Sequence, residues 1–70
     1  MPLWCFKDEY GTRGMLYLYL GNGRNFAVMV RWGEGWTWEQ KGQAIAAAAE
    51  SLINDLLMQF DSLRPLLKGL

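Results

Sequence analysis

The chain has 70 residues, 51% of them hydrophobic, with seven basic and seven acidic residues, one cysteine and no histidine. A chain of this length forms one domain, residues 1–70, with a small core. A single cysteine excludes an internal disulfide, and without histidine there is no Cys/His cluster for zinc. The zero net charge provides no general attraction to nucleic acid or anionic lipid.

The N-terminal residues do not predict a signal peptide. The N-terminal sequence MPLWCFKDEYG lacks the basic start and apolar run of a signal peptide. No apolar run reaches the roughly 18 residues that span a bilayer. Together with a free cysteine, these features predict a cytoplasmic protein that has no membrane partner.

Three segments, residues 3–10, 15–20 and 26–32, are rich in aromatic, leucine and β-branched residues and predict β-strands. The Asn22-Gly23 pair tolerates the positive φ angles of a type I′ turn between the second and third strands. The GTRG sequence joins the first and second strands in a similar way. The pattern therefore predicts an antiparallel meander.

Turns centred on Asn22-Gly23 and on Thr12-Arg13 fix which strand residues share a face. One predicted face is aromatic and carries Trp4, Phe6, Tyr10, Met15, Tyr17, Tyr19, Phe26, Val28, Val30 and Trp32. The other is aliphatic and carries Leu3, Cys5, Leu16, Leu18, Leu20, Ala27 and Met29. We expect the aromatic face to form the core under a helix and the aliphatic face to stay open.

From Thr37 onward, apolar residues recur at helical spacing and predict a helix over about residues 38–63. Thr37 and Gln40 fit a capping box. Trp38 opens the apolar stripe of this helix and, like Trp32 at the end of the third strand, is expected in the core.

Two features at the ends of the helix qualify this prediction. Pro65 disfavours helical backbone at the preceding residue, which leaves residues 64–70 as a short apolar tail. In a second interpretation, residues 36–40 form a fourth strand and the helix begins near Gly42. The predicted class is α+β: a three-stranded or four-stranded antiparallel meander followed by one long C-terminal helix packed on one face.

No combination of residues supports catalysis or a bound cofactor. Without histidine, a Ser or Cys nucleophile lacks its usual base. Asp8 and Glu9 point to opposite faces of a strand, and the sequences GNGRN and GEG lack the strand, glycine and helix order of a phosphate-binding loop. We therefore predict a protein that is not an enzyme and has no cofactor and no metal site.

The open aliphatic face is the first candidate site, since a large exposed apolar patch on a small domain marks an interface. Its predicted partner is another protein or a second copy of the chain in a homodimer. The partner-binding residues expected there and in the strand-to-helix connection are Leu16, Leu18, Leu20, Met29, Arg31 and Trp36.

The aromatic face is the alternative site, because aromatic side chains on an antiparallel sheet can stack unpaired bases. This interpretation predicts single-stranded nucleic-acid binding, which the neutral net charge disfavours. Its residues are Trp4, Phe6, Tyr17, Tyr19, Phe26, Arg13 and Arg24, with Arg31 nearby.

The layout, in which three short antiparallel strands lead through GEGWTWEQ into a long helix, is similar to small antitoxins of the HicB kind. It also resembles the three-strand-plus-helix arm domains of phage integrases, which are basic where this chain is neutral. As a compact chain it resembles phage and mobile-element proteins that inhibit a host complex. These resemblances imply a non-enzymatic protein-interaction module, either such an inhibitor or an antitoxin-like partner protein.

Overall fold

The computed structural model describes residues 2–9 and 11–67. Three strands form one antiparallel sheet in the order β1-β2-β3, and a long helix, a 3-10 turn and a short helix follow. The α+β class and the meander are thereby confirmed, whereas Tyr10 of the predicted aromatic face lies outside the described residues. The elements are β1 (Leu3–Asp8), β2 (Arg13–Tyr19), β3 (Asn25–Arg31), α1 (Trp38–Gln59), the 3-10 turn Asp61–Leu63 and α2 (Arg64–Leu67).

The turn between β2 and β3 contains one residue more than the two-residue turn predicted. Asn22 and Gly23 do have positive φ angles of 54° and 75°, as a type I′ turn requires. Gly21 precedes them with a φ of 87°. Gly21 is therefore the extra residue of a three-residue loop, residues 21–23. The flanking pair closes this loop, because the Leu20 N–H donates to the Arg24 carbonyl oxygen at 3.0 Å.

This extra residue shifts the pairing, so that Tyr17 lies opposite Ala27 instead of Val28. The first hairpin differs as well, because it turns around Gly11, whose N–H donates to Asp8 Oδ1 at 3.2 Å. Cys5 therefore lies opposite Tyr17. The predicted registers of both hairpins are wrong. Because successive side chains of a strand point to opposite faces, the side chains of β2 lie on the opposite face of the sheet from the one predicted, whereas those of β1 and β3 do not.

The face that meets α1 consequently combines aromatic residues of the outer strands with leucines of the central strand. Leucines suit this position because they have no polar atoms, whereas a buried tyrosine hydroxyl needs a hydrogen-bond partner. The covered face carries Trp4, Phe6, Leu16, Leu18, Leu20, Phe26, Val28, Val30 and Trp32. The face without a helix, called the open face below, carries Leu3, Cys5, Lys7, Arg13, Met15, Tyr17, Tyr19, Asn25, Ala27, Met29 and Arg31.

The start of α1 is as predicted. The Gln40 N–H donates to Thr37 Oγ1 at 3.2 Å and the Thr37 N–H donates to Gln40 Oε1 at 2.9 Å, which completes the capping box. Residues 36–40 therefore form no fourth strand. Trp38, however, is 69% exposed, so its predicted place in the core is wrong. It lies in the first turn of α1, with the Lys41 Nζ 4.4 Å from the centroid of its ring.

The end of α1 differs from the prediction of one helix to residue 63. Phe60, with φ −133° and ψ 85°, interrupts the helix, and the chain continues into the 3-10 turn and α2. Pro65 fits in the first turn of α2, where its missing N–H is not needed. Residues 64–67 of the predicted tail are thus helical, and residues 68–70 lie outside the described residues. Leu63 and Leu67 are buried in the same core cluster as Leu18 and Leu20.

The core is narrow because α1 lies to one side of the sheet. Its Cα atoms come within 8 Å of those of β2 and β3, but among the described residues none comes as close to β1. The buried residues form two clusters along the helix, and the half-buried Trp4 packs against both. The molecule measures 40 Å by 19 Å by 18 Å.

Substitution of Gly14 by alanine tests the packing of the covered face. An added Cβ at Gly14 would lie 2.6 Å from the Lys7 carbonyl oxygen, which belongs to the rigid sheet backbone. We expect Gly14→Ala to lower the free energy of unfolding by about 1–3 kcal/mol, measured by urea denaturation. Gly42→Ala is the matched control, since nothing lies within 4 Å of its added Cβ and alanine favours a helix by about 0.5–1 kcal/mol. Equal effects of both substitutions would contradict this packing.

Candidate interaction surface

The centre of the open face is a pair of tyrosines on β2. Tyr17 and Tyr19 are two residues apart, and their rings stack with centroids 6.2 Å apart and planes inclined by 16°. Cys5 and Ala27 lie on either side of Tyr17, and Leu3 and the polar Asn25 lie on either side of Tyr19. This half of the open face is therefore mainly apolar and aromatic.

The other half of the open face is basic. Arg13 lies directly opposite Arg31, and Lys7 lies in the next row beside Met15. The Arg31 Nε–H donates to the sulfur of Met29 at 3.4 Å. This half of the open face therefore presents positive charge.

The structure divides the predicted partner-binding residues into three groups. Leu16, Leu18 and Leu20 are buried under α1, so their predicted place on an open face is wrong, and the one-residue shift at Gly21 is the reason. Met29, 43% exposed, and Arg31 do lie on the open face. A dimer that stacks through the three leucines is thereby excluded.

Trp36 is exposed but lies away from the open face, in the connection between β3 and α1. Its ring packs on Gly33, where an added Cβ would collide with the indole. The Trp36 N–H also donates to the Gly33 carbonyl oxygen at 3.2 Å. These contacts give Trp36 a role in shaping the turn.

The predicted nucleic-acid-binding residues are also divided between the two faces. Phe6 packs on Trp32 with centroids 5.7 Å apart, and Phe26 packs on Phe60 at 6.2 Å, so both belong with Trp4 to the covered face. Tyr17, Tyr19 and Arg13 lie together on the open face, and Arg24 is exposed in the turn after β2. A single aromatic face for bases, as predicted, does not form.

Several open-face residues were missed by the sequence prediction. Their signal was present in the alternation of β2, which places Met15 and the two tyrosines opposite to the three leucines. The correct register would have placed Met15, Tyr17 and Tyr19 on this surface, beside Leu3 and Ala27, which the prediction already assigned to the open face.

A groove of about 500 Å³ separates α1 from the outer side of β1. It exists because α1 lies over β2 and β3, and Trp4 forms its wall on the sheet side. The lining is mainly apolar, with two polar side chains on the helix. The residues are Trp4, Ala46, Ala49, Glu50, Ile53 and Asn54.

Across residues 2–9 and 11–67, no three His, Cys, Asp or Glu side chains come together as a possible metal site. Within the same residues, no helix has both the length and the apolar character to cross a bilayer. No known protein family, curated protein or solved structure matches this chain.

Two neighbouring residues of β2 test which side of the strand is buried. Leu18 is fully buried and Tyr17 lies on the open face. We expect Leu18→Ala to lower the free energy of unfolding by about 2–5 kcal/mol. Tyr17→Ala removes cross-strand contacts worth about 0.2–1 kcal/mol. Urea denaturation of the two variants measures both values, and a larger loss for Tyr17→Ala would show that the faces are assigned the wrong way round.

Proposed function

We propose that this chain is a non-enzymatic protein-interaction module whose open face docks onto another protein. The observation that carries the proposal is the composition of this uncovered sheet face, with two stacked tyrosines, two methionines and two opposed arginines. A sheet face with no helix on it would ordinarily be polar. Here its centre is apolar and aromatic.

The residue types on the open face are those enriched where proteins meet. Tyrosine, methionine and arginine are all over-represented at protein interfaces, and tyrosine and arginine are frequent hot spots. Tyr17 and Tyr19 are already ordered by their mutual stacking, so binding immobilises little additional side-chain freedom. This combination supports docking of a protein more strongly than it supports binding of a small molecule, for which the flat face offers no enclosed cavity.

The charges on the open face define the chemistry of the partner. The partner would present an apolar patch to Tyr17 and Tyr19, and carboxylates to Arg13 and Arg31. An inhibitor that occludes a surface of a host protein complex, as phage and mobile-element proteins do, needs only such a docking face. An antitoxin-like role, in which the partner is a toxin, would use the same face, and either role suits a cytoplasmic protein.

Single-stranded nucleic acid is the second candidate ligand, because the stacked tyrosines and the cations Lys7, Arg13 and Arg31 share one uncovered face. Tyrosine rings can stack unpaired bases and the cations can contact phosphates. The zero net charge of the chain favours a protein partner instead, as does the fact that the described part of this face contains only two aromatic residues.

The first test uses the double variant Tyr17→Ser/Met29→Ser. The matched control is Met58→Ser, which removes a methionine that is 86% exposed on α1, away from the sheet. Proteins captured from the native host by both the wild type and Met58→Ser are purified, and each is titrated by calorimetry with the wild type and with the double variant. We expect the double variant to bind at least tenfold more weakly, a loss of about 1.4 kcal/mol or more, because its anchoring side chains are gone.

The proposal fails if the double variant binds every purified partner as tightly as the wild type does. The nucleic-acid alternative is examined in parallel with a fluorescently labelled oligothymidylate. Binding that raises its anisotropy, weakens steeply with salt and is lost in the double variant would favour that alternative. We expect no such salt-dependent binding.

A further inference from the structure

The outer edge of β1 is an uncovered sheet edge made of apolar residues. Residues 3–6 are Leu, Trp, Cys and Phe, and the strand order leaves the side of β1 away from β2 without a neighbouring strand. The helix does not shield this edge either, because the groove beside Trp4 separates the two. Proteins usually protect such edges, since an exposed apolar edge strand pairs with other chains.

The backbone of β1 offers hydrogen-bonding groups at defined positions along this edge. The Glu9 N–H donates to the Arg13 carbonyl oxygen at 3.1 Å, so the odd-numbered residues of β1 bond to β2. Because these groups alternate in direction along an antiparallel strand, those of Trp4, Phe6 and Asp8 point outward. None of the described residues bonds to these outward backbone groups.

We propose that a second copy of the chain pairs its β1 antiparallel with this edge, with the two-fold axis at Cys5. The Trp4 backbone then exchanges both hydrogen bonds with the partner's Phe6, and Phe6 does the same with the partner's Trp4. Two three-stranded sheets become one sheet of six strands. The occupant of the edge is thus an identical strand in an isologous contact.

The side-chain pattern of β1 selects this register. Outward-pointing residues must face each other, so the axis passes through a residue of β1 and not between two residues. An axis at Lys7 would set two ammonium groups opposite each other. An axis at Trp4 would set Phe6 opposite the partner's Pro2, which has no N–H, and would leave one fully bonded pair. An axis at Phe6 would set Trp4 opposite a carboxylate, the partner's Asp8. With the axis at Cys5, Trp4 lies opposite an aromatic ring and Lys7 lies opposite the partner's Leu3. No residue then faces a like charge, and aromatic cross-strand pairs stabilise a sheet.

The groove gives this arrangement room on the helix side. Trp4 and Phe6 of each copy point to the side of the sheet that carries α1, so the partner's aromatic rings enter the space beside Ala46, Ala49 and Ile53. The contact consists of one strand pair and two grooves, whereas a stable specific interface buries more than about 1,000 Å². The dimer is therefore reversible and depends on protein concentration.

The dimer also joins the two open faces into one surface. Leu3, which is 62% exposed, and Cys5 lie at the β1 side of each open face. Pairing of the two edges brings them to the centre of the six-stranded sheet. Dimerisation uses backbone groups and the covered side, so it does not depend on the protein partner proposed above.

Cross-linking through Cys5 tests the register directly. At a two-fold axis in a non-hydrogen-bonded pair the Cα atoms are about 4.5 Å apart, within the range of about 4.4–6.8 Å that a disulfide accepts. We expect the oxidant copper phenanthroline to convert the wild type into covalent dimers on non-reducing gels. The matched control Cys5→Ser/Leu3→Cys moves the thiol to a more distant site on the same face, where two copies are about 14 Å apart. It should cross-link on the order of tenfold more slowly.

Sedimentation equilibrium tests the association without relying on oxidation. From about 10 μM to about 500 μM the mass of Cys5→Ser should rise from 8.0 kDa towards twice that value. Cys5→Asp places two carboxylates at the axis and should remain monomeric, while its circular dichroism shows that it is folded. The proposal is wrong if Cys5→Ser stays monomeric throughout, or if thiols at positions 3 and 5 cross-link equally fast.

Discussion

The position of Gly21 in the turn after β2 determines which side of the central strand meets the helix. Its positive φ angle of 87° accommodates one residue more than a two-residue turn, and one residue is enough to exchange the two faces of a strand. Three leucines thereby enter the core, each contributing about 1.5–3 kcal/mol when fully buried. Two tyrosines and a methionine on the alternate positions are left facing away from the helix.

The lateral position of α1 is the second constraint, and it follows from the size of the chain. One helix of 22 residues covers β2 and β3 but does not extend over β1, so the core divides into two clusters that Trp4 connects. The 3-10 turn and α2 add Leu63 and Leu67 at one end. The same geometry leaves an apolar edge, a groove and a complete sheet face exposed, and these are the surfaces on which another chain can act.

The strands, their order, the helix start and its capping box could be predicted from local signals. Thr37 and Gln40 illustrate this, since their side chains bond to backbone groups only three residues away. The sheet register could not be predicted in the same way, because Asn22 and Gly23 adopt the expected positive φ angles in a turn that is nevertheless longer by Gly21.

The wrong register of β2 also made part of the predicted candidate surface wrong. Met29 and Arg31 lie on β3, whose orientation was predicted correctly, and both are exposed. The predicted β2 residues Leu16, Leu18 and Leu20 are instead buried in the core. Trp38 shows a different limit, because helical periodicity alone does not reveal which turns of a helix are covered by the rest of the fold. The open face brings tyrosine, methionine and arginine together on one surface. This arrangement is a more specific argument for a protein-interaction module than the amino-acid composition is.

Nuclear magnetic resonance of the folded chain measures the register on which these surfaces depend. In an antiparallel sheet the Hα atoms of a non-hydrogen-bonded pair are close enough to give a strong nuclear Overhauser effect. The pairing described here places Tyr17 opposite Ala27 and Met15 opposite Met29, so strong Hα–Hα effects are expected within both pairs. Effects that instead connect residues one position further along β3, such as Tyr17 with Val28, would show that the leucines of β2 face away from the helix.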